Sequence, residues 1–345
     1  MSAQYQAVQW NRQKRRYDLV LVGGVAAYLL IFCAVTEWRF PNVTEEILLM
    51  RAFGTAALLL LHVILCIGPL CRLHPKFLPL LYNRRHAGVT CFLLGLVHAV
   101  LVVGTYHAGS DQNPLVSIFV TSRLTGSLAG VPFQPFGFVA LLILFLLAAT
   151  SHDFWLANLS APVWKALHML VYVAYGLLVL HVTFGALQGE TGRIYEGAMA
   201  AGLVTVVTLH RVAARREQRT DRAAATLAAD GWVAACTVDE IPENRARIVC
   251  VAGERVAVFR YDGKISAVSN VCQHQNGPLG EGKIVFGCIT CPWHGYQYLP
   301  ETGASPPPFV EKVPTFNIRL AEGRVWVDPR PNPAGTRAEP AVIPT

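Results

Sequence analysis

Charge is scarce in this sequence. Only 15% of its 345 residues are Asp, Glu, Lys or Arg, against 53% hydrophobic, a balance that excludes an ordinary soluble globule along the whole chain. No interleaved basic and aromatic groove is present, so the net charge of +7 does not point to nucleic acid, and no nucleic-acid partner is expected. Nine cysteines in so long a chain do not make a disulfide framework. Cys33, Cys66, Cys71 and Cys91 fall in or near apolar runs, and Cys236 and Cys250 in strand-like sequence, where each reads as a small buried hydrophobe. No convincing small-residue cleavage site follows the first apolar run, which argues against its removal as a signal peptide.

What is present is uneven. The apolar residues crowd into 19–210, in stretches near 19–37, 51–70, 87–105, 136–151, 164–184 and 194–210. Each approaches the about 20 residues needed to cross a bilayer, the fourth and sixth being short. An all-α membrane bundle of about six spans is expected. Basic residues mark its inner side: Arg12, Lys14, Arg15 and Arg16 before the first span, then Arg72, Lys76, Arg84 and Arg85 after the second. Arg211, Arg215, Arg216, Arg219 and Arg222 follow the sixth. Positive charge stays inside. The expectation is a multi-pass protein of a cell inner membrane, both termini cytoplasmic, with residues 1–18 a short cytoplasmic segment.

Histidine inside a bilayer is rare and marks function. "LLGLVHAVL" carries His98 in the outer half of the third span. "WKALHMLVYVAYGLLVLHVTF" carries His168 near the inner end of the fifth and His181 in its outer half. His98 and His181 fall at similar depth, and imidazoles on facing helices can hold haem iron within a bundle. His168 lies 13 residues before His181, roughly 20 Å along an ideal helix and about 140° around it. That depth suits a second haem, although the turn puts the two residues on different faces. The alternative for each is a polar side chain bonded to a neighbouring helix, and this is the favoured reading of His62 and His86.

The run "RRHAGVTCFLLGLVH", followed by "WKALHMLVYVAYGLLVLH", resembles the ferric-reductase-like transmembrane family. Within it, the segment resembles the haem-binding membrane subunits of bacterial methionine sulfoxide reductase systems. Arg84, Arg85, Gly88, His98, Trp164, His168 and His181 fall in the family's order over roughly residues 45–210. The resemblance implies b-type haem on His98 and His181, with His168 also implicated. Larger members carry an inner histidine where Arg84 stands, so one haem or two is the expectation. Their flavin and nicotinamide domains are missing, since no GxGxxG follows a strand in the C-terminal part.

Residues 211–229 read as a charged helical linker leaving the membrane. The chain then alternates apolar and polar residues, in "RIVCVAGERVAVFRYDGKISAVSN" and again in "TFNIRLAEGRVWVD", with turns at Ala252-Gly253 and Asp262-Gly263. That is hairpin sequence, and it predicts a small all-β domain over 230–328. The Pro- and Ala-rich residues 329–345 are expected to be disordered.

Between the hairpins lie Cys272 and His274, as CxH, and Cys291 and His294, as CxxH, with 16 residues between the pairs. Two Cys and two His could hold tetrahedral zinc. Zinc sites of this kind usually begin with two thiolates on one CxxC turn, however. Here each half gives one thiolate and one imidazole, which divides naturally over two irons as a Rieske [2Fe–2S] centre. From Trp232 to Val327 the segment resembles Rieske domains. The resemblance implies that Cys272 and Cys291 hold the inner iron, and that His274 and His294 hold the exposed iron and form the electron port. Quinol-oxidising relatives brace the two cluster loops with a disulfide. Gly277 and Trp293 occupy those positions here, and Cys288 is not placed to substitute. The absence fits a reducing compartment. Tyr296 replaces a serine that bonds the cluster sulfur, while Tyr298 keeps the family's tyrosine, so a low-to-intermediate potential is expected. No further iron site of two His and a carboxylate is visible, so the domain is not itself an oxygenase.

Taken together, these features point to an oxidoreductase component that moves electrons between a cytoplasmic Rieske centre and haem in the bundle. The expected donor is a flavin- or NAD(P)H-dependent reductase, and the expected acceptor lies outside the cytoplasm. Two alternatives stand beside this: a membrane-anchored Rieske ferredoxin serving a soluble oxygenase, and a quinone-linked carrier.

Overall fold

The computed structural model describes residues 12–108, 112–120, 132–152, 155, 159, 161–185, 187, 193–222, 226–227, 231–274, 276–293 and 295–344. The chain divides into two compact units. One comprises Arg12–Ile67 and Asn83–Thr208, the other Gly68–Tyr82 and Leu209–Thr345.

The first unit is helical. Its elements are α1 (Arg12–Arg39), α2 (Glu45–Leu73), α3 (Arg84–Tyr106), α4 (Pro114–Val120), α5 (Gln134–Ala149), α6 (Ala161–Phe184) and α7 (Arg193–Arg222). The last turns of α2 and α7 belong to the second unit. Five of these helices are long and apolar enough to cross a membrane; α5 is apolar but has 16 residues. It stands where the fourth span is expected. The apolar surface faces outward as lipid requires: Leu19, Val20 and Leu30 on α1 are each more than 70% exposed. Small residues let helices approach closely. Ala140 of α5 and Ala174 of α6 are fully buried, in one cluster with Leu144 and Leu147. A second cluster joins Leu61 and Leu65 of α2, Cys91 of α3, Tyr175 of α6 and Val206 of α7.

The second unit is mainly β. One sheet runs β1 (Thr226–Leu227), β2 (Val233–Thr237), β11 (Arg324–Val327), β10 (Ile318–Ala321). Another runs β12 (Ala341–Val342), β5 (Lys264–Ser269), β4 (Glu254–Tyr261), β3 (Arg245–Val251), with β9 (Thr315–Phe316) also on β5. The third is β6 (Lys283–Val285), β7 (Cys288–Thr290), β8 (Gln297–Tyr298). Successive residues of β4 point to opposite faces, and both faces are buried. Val256 and Val258 enter one core with Val233, Ile265, Phe316 and Val325. Ala257, Phe259 and Tyr261 enter the other with Cys272, Leu279, Cys291 and Tyr298.

The expected turns are two-residue hairpin loops. Val251 pairs with Glu254 across Ala252-Gly253, and Tyr261 with Lys264 across Asp262-Gly263. All four turn residues have positive φ, as this tight loop demands.

The C-terminal segment corrects an expectation. It is ordered, not disordered. Ala341 and Val342 pair with Ile265 and Lys264. Backbone N–H groups of Asn332, Ala338 and Ile343 donate to carbonyls of Thr315, Glu301 and Gly263, and Arg337 pairs with Glu301. Proline and alanine removed the periodic signal, but enough donors remain to lay the segment along the domain as a strap.

Candidate functional site

In the helical unit the structure brings His98 and His181 together. Their ring centroids are 6.4 Å apart, with planes 82° apart. A metal held about 2 Å from one nitrogen of each ring would separate the ring centres by roughly 6 Å. The far side of each ring is anchored in the same way. His98 Nδ1 is 2.9 Å from the Met50 carbonyl of α2, and His181 Nδ1 is 3.0 Å from the Phe133 carbonyl at the start of α5. A carbonyl can only accept, so each Nδ1 carries the proton and each Nε2 is the nitrogen left to bind. This is how a ligating imidazole is usually fixed.

Two glycines make this possible. Gly54 and Gly137 each follow the accepting carbonyl by four residues. A Cβ at 54 would lie 2.8 Å from His98 Nδ1, and one at 137 would lie 2.7 Å from His181 Nδ1. In a helix the side chain at n+4 covers the carbonyl at n; without it, that carbonyl can receive a second donor. Sequence reasoning missed both glycines, because they lie on helices other than those of the histidines they support.

His168 is not brought to that pair. It stacks on Trp164 at 3.7 Å and 23°, its Nδ1 donates to the Trp164 carbonyl at 3.0 Å, and Nε2 is 3.5 Å from Ser151 Oγ. None of these contacts is a second imidazole. His62 donates from Nδ1 to the Leu58 carbonyl and accepts at Nε2 from Tyr175 Oη, at 2.8 and 3.0 Å. His86 pairs with Asp18 at 2.8 Å. These are bonds of the kind a polar side chain makes within a bundle.

In the β unit the candidate ligands sit on two matching loops. The Cys272 N–H donates to the Gly277 carbonyl and the Asn276 N–H to the Cys272 carbonyl. The Cys291 N–H donates to the Tyr296 carbonyl and the Gly295 N–H to the Cys291 carbonyl. Four residues after each cysteine φ is positive, at Asn276 (56°) and Gly295 (75°). Each loop thus closes on its own cysteine and holds the thiol inward; Cys272 and Cys291 are both 1% exposed. The loops touch, since a Cβ at Gly277 would lie 2.6 Å from Cys291 Sγ and 3.3 Å from the Trp293 ring. Positions 277 and 293 therefore do face each other, with no cysteine at either, and none of the nine cysteines is in a disulfide.

Tyr298 serves the first loop. Its hydroxyl accepts from the Gln273 and His274 N–H groups at 3.1 and 3.3 Å, so its own proton goes to Cys272 Sγ at 3.3 Å. Burial, followed by the nearby Cys272 charge, pushes the Tyr298 pKa up and keeps it a donor. Tyr296 points elsewhere and donates to Glu311. His294 lies outside the described residues. Among the described residues no three His, Cys, Asp or Glu converge on one metal. A two-iron centre divides its four ligands two and two, so no such convergence is required.

Comparison with known proteins bears on both units. The Rieske [2Fe-2S] domain family matches residues 231–317, and the ferric reductase like transmembrane component family matches residues 53–179. The anthranilate 1,2-dioxygenase ferredoxin subunit of Burkholderia cepacia is 32% identical over 98 residues, 28% of this chain and 91% of that protein. The biphenyl dioxygenase ferredoxin subunit of a Pseudomonas species is 35% identical over 97 residues, 27% of this chain and 88% of that protein. Cholesterol 7-desaturase nvd of Xenopus laevis is 37% identical over 90 residues, 25% of this chain; the chain spans only 20% of that protein. Among solved structures, a chain from the oxygenase–ferredoxin complex of carbazole 1,9a-dioxygenase is 26% identical, with a TM-score of 0.28 over 30% of this chain and 96% of that one.

Proposed function

Because the chain belongs to the Rieske [2Fe-2S] domain family over residues 231–317 and to the ferric reductase like transmembrane component family over residues 53–179, we propose that it is a membrane electron-transfer protein. It relays single electrons from a cytoplasmic flavin- or NAD(P)H-dependent reductase to an acceptor beyond the membrane. Cys272, Cys291, His274 and His294 are the proposed holders of one [2Fe–2S] cluster. His98 and His181 are the proposed holders of one b-type haem. Bound there, the two groups supply one-electron storage, and the protein supplies placement and tuning. Tyr298 donates toward the Cys272 sulfur and favours the reduced state. Met50, Gly54, Phe133 and Gly137 fix both imidazole tautomers. A second haem is not proposed, since His168 is engaged with Trp164 and has no facing imidazole among the described residues.

The observation that carries this reading is the His98–His181 pair, 6.4 Å between centroids, with both Nδ1 atoms tied to backbone. The test is a reduced-minus-oxidised optical spectrum of the purified protein beside its low-temperature EPR. A b-type haem signal together with a Rieske signal is expected, and His98→Ala removes the first alone.

A second reading draws on the relatives. The chain covers 91% and 88% of two dioxygenase ferredoxin subunits, which suggests a tethered ferredoxin delivering electrons to a soluble oxygenase. In that case the purified protein shows a Rieske signal without haem, even with ample haem supply, and His98→Ala changes neither colour nor electron delivery.

A further inference from the structure

The two cluster loops lack the disulfide that would brace them, and an aromatic contact spans them instead. Tyr296, on the second loop, lays its ring on His274 of the first at 4.6 Å and 8° between planes. It is 4% exposed, with Phe309 edge-on at 5.0 Å and Tyr298 tilted at 5.5 Å. Parallel rings at this separation attract weakly, and a phenol free to turn would hold an imidazole poorly. Tyr296 is fixed at both ends. Its carbonyl accepts from the Cys291 N–H at 2.8 Å, and its hydroxyl donates to the Glu311 carboxylate. A bond to an ionised acceptor is about twice as strong as a neutral one.

Glu311 is itself held in place. Its carboxylate accepts the Val310 N–H at 3.1 Å, and its carbonyl accepts the Ser305 N–H at 2.9 Å. Lys312 bridges Ala304, which closes the base of a loop containing Pro306, Pro307 and Pro308. Lys312 in turn packs against Gly335 of the C-terminal strap, where a Cβ would come within 3.4 Å of three of its side-chain carbons.

We propose that Glu311 and Tyr296 form a non-covalent brace that replaces the missing disulfide. Glu311 is a positioning residue: it holds Tyr296, and Tyr296 sets the plane of the His274 imidazole relative to the Cys291 loop. This rests on the reading of Cys272, His274, Cys291 and His294 as cluster ligands. Because the brace contains no sulfur–sulfur bond, reducing thiols leave it intact.

The test compares the full-length holoprotein with Glu311→Ala, Glu311→Gln, Tyr296→Phe and Tyr296→Leu. The readouts are the Rieske EPR line shape, the cluster midpoint potential and the rate of cluster loss to an iron chelator. Glu311→Ala and Tyr296→Phe should shift the EPR g-values and speed cluster loss by about tenfold, the typical cost of removing a group that orients a ligand. Glu311→Gln, which still accepts the tyrosine proton, should largely restore both, and Tyr296→Leu should have the largest effect. Excess dithiol should change nothing in the wild type. The brace is refuted if Glu311→Ala and Tyr296→Phe keep wild-type line shape, potential and loss rate. It is also refuted if Glu311→Gln is as impaired as Glu311→Ala. Absence of any Rieske signal in the wild type would instead refute the underlying cluster assignment.

Discussion

The two candidate cofactor sites solve one problem with opposite means. The membrane site takes its histidines from two helices 83 residues apart in sequence (His98 and His181) and fixes each from a third element, the helix backbone beside a glycine. The Rieske loops carry each candidate Cys–His pair within a few residues of sequence, and hydrogen bonds within each loop hold its cysteine in place. In lipid no water competes for a carbonyl, and a carbonyl uncovered by glycine makes a strong fixed acceptor. In the β domain the anchors are side-chain hydroxyls and turn geometry. Rigidity comes from packed helices in one case and from closed loops in the other.

The contrast is broken most sharply by removing ligands. His98→Ala or His181→Ala should abolish the haem absorbance and leave the Rieske EPR signal intact. Cys272→Ser should do the reverse. Loss of both signals from any one change would mean that the two sites are not independently built. A smaller effect should follow Gly137→Val or Gly54→Val, which put side-chain atoms where the ring nitrogen sits. Haem retention during purification should fall by about tenfold, as for other supporting groups, with the cluster signal unchanged. Tyr298→Phe tests the loop anchors. It removes the donor to Cys272 Sγ, and a bond to a charged acceptor contributes about 1.5 kcal/mol. The bond is stronger to the more negative reduced cluster, so its loss should lower the cluster midpoint in a redox titration by at most about 60 mV, with no change in haem potential.

The smallest effect is expected outside both sites. Arg255 of β4 forms a two-pronged pair with Asp221 of α7, at 2.9 and 2.7 Å, and its guanidinium holds the Asp221 carboxyl below the ordinary carboxylate range. A depressed carboxyl contributes stability that is present above its unfolded pKa and lost as pH falls through the folded one. Both side chains are more than a third exposed, so solvent screens the pair. Arg255→Ala should cost under about 1 kcal/mol in thermal melting, and less at high salt or acid pH.

Much of this was legible in the sequence. His98 and His181 stood at matching depth in apolar spans, and the CxH and CxxH pairs with their spacing named the two loops. The hairpin turns announced themselves as Ala252-Gly253 and Asp262-Gly263. What was not legible depends on contacts between distant segments. Nothing near His98 points to Met50 and Gly54, since helix packing alone brings α2 behind α3. Tyr296 read as a lost hydrogen bond to sulfur, and its partner Glu311 lies on a separate loop. The strap at 331–344 is not legible in sequence because proline and alanine erase periodicity, while its few hydrogen bonds to Gly263, Glu301 and Thr315 leave no local mark.

The central claim is that electrons reach the membrane site by way of the Rieske domain. Its most direct test is rapid-mixing spectroscopy of the full-length protein with a soluble NAD(P)H-dependent reductase, in wild type and in Cys272→Ser. Haem reduction should follow cluster reduction in the wild type and fail in the variant. Haem reduction at the same rate without the cluster would contradict it.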